Sequence, residues 1–141
     1  MDRRALAALA LAAAFGLLAA GCGRPGSSAG PVYTAKGTAP CLKTKGFRAV
    51  TTNRLKIGLI AGTAELGGLQ ARTADDNVLT IAFAQDPNAA EDTEQAFKNH
   101  APRAVRPHIG DIMSARRNAV LVWTVTPEQQ QLDAAVSCLS P

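Results

Sequence analysis

The sequence has few aromatic residues and few of the patterns that mark a catalytic site. Aromatic side chains make up 4% of its 141 residues, so a hydrophobic core has to rest on Val, Ile, Leu and Ala. No Cys-x-x-Cys or Ser-x-x-Lys motif occurs, which argues against a redox-active cysteine pair and one type of serine nucleophile. The glycine-rich stretch 58–68 lacks the residue order of a phosphate-binding loop and is predicted to be a flexible loop.

Histidines are also scarce, and this limits metal chemistry. His100 and His108 are the only two, whereas a protein metal site needs at least three ligands. Asp86 or Asp111 could supply another ligand, but the spacing matches no known metal motif. We therefore predict no metal site and no cofactor.

The N-terminus has the composition of an export signal. Arg3 and Arg4 precede Ala5–Ala20, sixteen residues without a charge or a strongly polar group. As a helix this run would measure roughly 24 Å, which is shorter than a hydrocarbon core of ~30 Å. A permanent membrane span is therefore the weaker interpretation.

The end of this run, Leu18-Ala19-Ala20-Gly21-Cys22, resembles the lipobox of bacterial lipoproteins. The resemblance covers the leader alone, and no family is recognised for the rest of the chain. It implies that residues 1–21 are removed and that Cys22 carries a diacylglyceryl thioether, which anchors the protein to the extracytoplasmic face of the cell membrane. Cleavage by an ordinary signal peptidase and retention of the leader as an uncleaved anchor are the two alternatives.

The cysteine count agrees with export. If Cys22 is lipidated, Cys41 and Cys138 remain, and in an oxidising compartment they should form a disulfide. Two separate buried thiols are the alternative. The mature chain has thirteen Lys and Arg residues against ten Asp and Glu, a net charge of +3 that is too mild for a dedicated nucleic-acid binder.

The remaining 120 residues are enough for one domain. Residues 22–37 are rich in Gly, Pro and Ser and are predicted to be a flexible tether, and residues 38–141 a single small domain. We expect an α+β fold in which an antiparallel sheet of four or five strands carries two main helices on one face. The predicted strands are 47–52, 69–73, 78–84 and 119–125, and the candidates for a further strand are 55–60 and 111–114.

Capping residues locate the predicted helices. Thr38 would cap a short helix over 39–45, Asp86-Pro87 would open a helix to about His100, and Thr126-Pro127 would open the last one. The last two helices each follow a predicted hairpin, about forty residues apart. This similarity between the two segments is explained nearly equally well by a doubled ββα arrangement and by chance.

The strongest positive feature of the domain is cationic. Five basic residues lie in the two loops before the last strand and would form an anionic-ligand patch if those loops meet: Arg103, Arg106, His108, Arg116 and Arg117. Such a patch could face anionic lipid or an acidic envelope polymer. Ordinary solvated arginines are the alternative.

The function predicted from the sequence is therefore general. We expect a lipid-anchored binding or interaction module at the bacterial cell envelope, attached to the membrane through Cys22, with an envelope protein or anionic polymer as partner and no nucleic acid. It is not predicted to be an enzyme. The alternatives are a purely structural envelope protein and a small envelope enzyme, whose site would be assembled from His100, His108 and carboxylates such as Asp86 and Glu65.

Overall fold

A five-stranded antiparallel sheet forms the centre of the domain in the computed structural model, which describes residues 30–141. The strands lie side by side in the order β1-β2-β3-β5-β4. Their bounds are β1 Arg48–Thr51, β2 Gly68–Arg72, β3 Val78–Phe83, β4 Met113–Arg116 and β5 Ala119–Trp123. The predicted α+β class and antiparallel sheet are confirmed. The leader, Cys22 and most of the predicted tether lie outside the described residues.

Five α-helices surround this sheet within residues 30–141. Two are long enough for several turns, α3 (Pro87–His100) and α1 (Ala35–Thr44), and α5 (Gln129–Ser137) closes the chain. The other two are single turns, α2 (Leu59–Thr63) and α4 (Ile109–Ile112), and a 3₁₀ turn precedes α4. None of these helices combines the length and the apolar character that crossing a bilayer requires.

The helices cover both faces of the sheet, and this corrects the prediction that both main helices share one face. Leu79 and Ile81 of β3 pack in one core with Ala135 and Cys138 of α5. The neighbouring β3 residue Ala82 points the other way and belongs to a second core that includes Phe97 of α3. Because β3 and β5 are apolar on both faces, each face needs its own helical layer.

The order of elements ββα occurs twice along the chain, but the two units do not form a symmetric repeat. The hairpin β2–β3 is followed by α3, and the hairpin β4–β5 is followed by α5. A two-fold axis relating the adjacent antiparallel strands β3 and β5 would run perpendicular to the sheet and keep both helices on one face. Since α3 and α5 lie on opposite faces, the two units are not equivalent.

The predicted second strand, 55–60, is wrong. Residues 54–56 form a turn, the chain bends at Ile57, Gly58 has a φ of +83°, and α2 begins at Leu59. Of the alternating apolar residues Leu55, Ile57 and Leu59, only Ile57 is buried, against Ala61 and Ala82. Three alternating positions are too few to establish a strand when a left-handed glycine interrupts them.

Helix starts were predicted with mixed success. The Asp86 carboxylate accepts a hydrogen bond from Ala89 N at 2.9 Å and Pro87 occupies the first turn, as expected. The first helix begins earlier than predicted, because Thr34 rather than Thr38 is its cap. The capping box of α5 is formed by Glu128 and Gln131, so this helix begins two residues beyond the predicted cap Thr126.

Cys41 of α1 and Cys138 at the end of α5 form the predicted disulfide, with their Cα atoms 5.3 Å apart. The bond joins the two helices that cover one face of the sheet and closes a sequence separation of 97 residues. It therefore links the first and last elements of the domain.

The folded domain starts before the predicted boundary at residue 38. Asn118, which is fully buried, accepts a hydrogen bond from Tyr33 N at 2.8 Å and donates Nδ2 to Tyr33 O at 2.9 Å. Thr34 N donates to Ser140 O, and Ala35 is buried in the core. Residues 33–37 are thus part of the domain, because a buried asparagine and the C-terminal segment hold them.

Candidate binding surface

An apolar groove of about 340 Å³ lies between the C-terminal half of α3, the segment 101–112 and strand β5. Its walls include Phe97, Val105, Ile109, Ile112 and Val122. Because the lining is mainly hydrophobic and the groove is open to solvent, it is suited to receive an apolar group of a partner.

The outer wall of the groove is held in place by Arg106. Its Nε donates to Ala101 O at 2.9 Å and its Nη2 donates to Asn99 O at 3.2 Å. These are carbonyl groups at the end of α3 that lack partners within the helix. Arg106 therefore fixes segment 101–108 against α3, and its charge is engaged by the protein itself.

A second, smaller depression of about 180 Å³ continues the groove towards α2. Ile60, Phe97 and His100 line both concavities, and Leu59 borders the second. Leu59 is 78% exposed and the nearby Leu55 is 96% exposed. We refer to Leu55 and Leu59, together with the cations Arg54 and Lys56, as the Leu55 loop.

The five predicted patch residues are divided by strand β4. Arg103, Arg106 and His108 lie before its first residue, Met113, whereas Arg116 and Arg117 lie at its far end. The Cα atoms of the first and last residues of a four-residue strand are roughly 10 Å apart. Three of the residues thus lie at one end of β4 and two at the other, and the common patch stays a prediction.

Arg117 has a partner at its own end of β4. Its guanidinium lies 5.5 Å from the centroid of the Tyr33 ring, a cation–π distance. Together with the engagement of Arg106 at the end of α3, this contact gives two of the five predicted cations a structural role. Arg103 is exposed and follows Pro102 of the groove's lining in the chain.

Of the residues named for an enzymatic site, His100 and Glu65 line one cleft of about 320 Å³ between α2 and α3, and Asp86 is not among its lining residues. Asp86 and His100 occupy opposite ends of α3, roughly 20 Å apart for a helix of this length. His100 Nδ1 lies 2.8 Å from Ala96 O, and His108 pairs with Asp111 at 3.6 Å. Residues 30–141 contain no group of three or more His, Cys, Asp or Glu side chains positioned to hold a metal ion.

A separate cleft of about 320 Å³ lies on the face of the sheet opposite to the groove, between the β2–β3 turn and α5. The Asp75 carboxylate, in that turn, accepts hydrogen bonds from Thr73 Oγ1 and from Gln131 Nε2 of α5. These two hydrogen bonds keep the pKa of Asp75 below its ordinary value, and the bond from Thr73 has the larger effect. Asp75 therefore links the hairpin to the last helix as a carboxylate.

This link predicts a specific acid response. Because the pKa of Asp75 is lowered by folding, its contribution to stability is present above about pH 3.9, the unfolded value, and is lost as the pH falls through the folded value. Asp75→Asn should therefore weaken the loss of stability in acid. Urea unfolding from pH 6 to pH 2 measures this, and Thr73→Ala should act in the same direction. Identical acid profiles for wild type and Asp75→Asn would contradict the assignment.

The groove was not predicted, although part of its signal is visible in the sequence. Val105, Ile109 and Ile112 recur at helical spacing within a segment that its two prolines mark as irregular. The structure forms a 3₁₀ turn and α4 there, so the three side chains face the same groove. The other wall comes from α3 and β5, and only the tertiary fold brings them together.

Comparisons with protein-family models, with curated proteins and with solved structures gave no match for this chain.

Proposed function

We propose that this protein is a lipid-anchored, extracytoplasmic component of the bacterial cell envelope, and that its folded domain is a binding module. The lipid would be attached to Cys22, after removal of residues 1–21. The proposal is supported by the basic and apolar leader, by the lipobox-like Leu18–Cys22 segment and by the disulfide of the domain.

The pairing of the cysteines is the observation that carries the proposal. Of three cysteines, Cys41 and Cys138 are bonded to each other, and the one left over is the cysteine that follows the export leader. A disulfide persists in oxidising compartments, which agrees with export. An unpaired cysteine is unusual in an exported protein, and lipidation gives Cys22 a chemical use.

The groove supports the binding part of the proposal. It is a concave, mainly apolar surface, and the exposed cation Arg103 follows Pro102 of its lining in the chain. This combination suits an apolar group that carries negative charge nearby. The partner class that fits is an acidic, partly apolar component of the envelope.

Metabolic labelling with an alkyne analogue of palmitate tests the anchor. We expect label on the wild-type protein and none on Cys22→Ala, because the thioether requires the cysteine sulfur. The matched control is the double variant Cys41→Ala/Cys138→Ala, which loses the other two cysteines and should keep the label. Label retained by Cys22→Ala, or absent from the wild type, would contradict the proposal.

A further inference from the structure

We propose that the Leu55 loop is a second membrane contact, which inserts Leu55 and Leu59 into an anionic bilayer surface and so orients the anchored domain. The inference rests on the proposed function, because the lipid on Cys22 is what would keep the domain at the membrane. It adds an element that the anchor does not supply, a defined face turned towards the lipid.

The loop presents its apolar side chains outward without any cover. Leu55 is 96% exposed and Leu59 78%, and they are two of the three large hydrophobic side chains that residues 30–141 leave in solvent. Leaving a leucine in water forgoes the free energy of its burial, so an uncovered pair at one loop is a candidate contact. Bilayer insertion would recover that free energy.

The charges beside these leucines fit a lipid surface. Arg54 and Lys56 flank Leu55 directly and are exposed. Neither has an acidic partner within ion-pair distance among residues 30–141. Cations beside an inserted apolar side chain can bind anionic headgroups while the leucine enters the acyl region, which is the usual arrangement of interfacial segments.

The loop is held in this shape by local hydrogen bonds. Asn53 Oδ1 accepts from Leu55 N at 3.0 Å, and Lys56 N donates to Asn53 O at 2.9 Å. Ile57 is buried beneath the loop, and Gly62 of α2 packs so closely that a Cβ there would lie 2.6 Å from Arg54 O. The exposed position of Leu55 is therefore fixed by the fold, and insertion requires no ordering of the loop.

The length of chain between the anchor and the domain permits this contact. Seven residues lie between Cys22 and Gly30, the first described residue, and the eight Cα–Cα steps from Cys22 to Gly30 span at most roughly 28 Å. A domain of this size has a radius of gyration of about 13 Å. The anchor thus keeps the domain within about one domain diameter of the bilayer, where an exposed loop such as the Leu55 loop can meet the lipid surface.

The test places a fluorescent reporter at the tip of the loop. Leu55→Trp is made in the full chain, and the lipidated protein is reconstituted in phosphatidylglycerol vesicles with or without brominated acyl chains. Because insertion reaches roughly 5–10 Å below the headgroups, brominated lipids should quench the introduced indole and its emission should shift to shorter wavelength. The native Trp123 is 2% exposed and supplies a constant background that the wild type measures.

The matched control is Val125→Trp, which places the same reporter at an exposed apolar position outside the loop. We expect no quenching in this control, and reduced quenching in Leu55→Trp when Arg54 and Lys56 are both changed to Gln. An unquenched loop reporter, or equal quenching of the loop and control reporters, would overturn the inference. A blue shift without quenching would also overturn it, because a second copy or another protein would then cover the leucines.

The same preparation distinguishes this inference from the anchor. Its intact mass reports whether Cys22 carries lipid. Lipidated Leu55→Trp protein without quenching would overturn the inference and leave the anchor intact. Protein without lipid would contradict the proposed function. The loop reporter would then be measured after vesicles are added to the soluble protein. Quenching in that experiment would support the loop contact, and no quenching would overturn the inference.

Discussion

Replacing Cys41 or Cys138 with Ser is expected to lower the free energy of unfolding by about 4–5 kcal/mol. The disulfide closes a sequence separation of 97 residues, and releasing a loop of this length restores much conformational freedom to the unfolded chain. A small domain has only about 5–15 kcal/mol of stability in total, so this loss would be a large part of it.

The two single variants and the double variant should be equally destabilised, because each removes the same bond. Chemical denaturation of the three proteins measures this, and Cys22→Ser is the control that removes a cysteine outside the pair. Losses that add in the double variant would mean that the two sulfur atoms act independently, and would contradict a stabilising disulfide.

Asn118→Ala should cost about 2–4 kcal/mol, the second largest effect that we expect. The side chain is fully buried and makes three hydrogen bonds, two with the backbone of Tyr33 and one from Nδ2 to Ala84 O at 2.9 Å. Truncation to alanine removes these bonds and leaves backbone groups without partners in a buried site.

The loss should be accompanied by release of the segment before α1, because Asn118 is what joins Tyr33 to the β4–β5 turn. Denaturation gives the stability, and limited proteolysis gives the exposure of residues 30–34. Asn88→Ala, at an exposed position in the first turn of α3, is the matched control and should change stability by less than about 0.5 kcal/mol. Equal stability of the two variants would contradict this role for Asn118.

Local signals in the sequence were sufficient where one chemical feature determined the structure. Asp86-Pro87 located the start of α3 because a capping carboxylate followed by proline has few other uses. The apolar run at 119–125 gave β5, and the disulfide followed from the cysteine count. In each case the decisive residues are adjacent or can be counted.

Features that depend on distant residues could not be predicted. Asn118 appears in the sequence as a turn residue beside two arginines, and its burial arises only when Tyr33 and Ala84 close over it. The side of the sheet on which α3 and α5 lie depends on the connections between elements, not on their periodicity. The groove likewise needs α3, β5 and segment 101–112 to come together.

The predicted cationic patch also depends on the tertiary fold and stays a prediction. The sequence places Arg103 and Arg117 in two neighbouring loops, and strand β4 lies between those loops. The Leu55 loop was predicted wrongly from a local pattern. A short alternation of apolar residues indicated a strand, but the fold leaves Leu55 and Leu59 in solvent. Alternation gives the direction of side chains only once the backbone is known to be extended.

The intact mass of the mature protein, extracted from its native membrane before and after reduction and alkylation, tests the central proposal most directly. We predict a chain that begins at Cys22, carries the mass of a diacylglyceryl group, and gains two alkyl groups only after reduction. An unmodified full-length chain with three freely alkylated thiols would contradict the anchor, the compartment and the disulfide together.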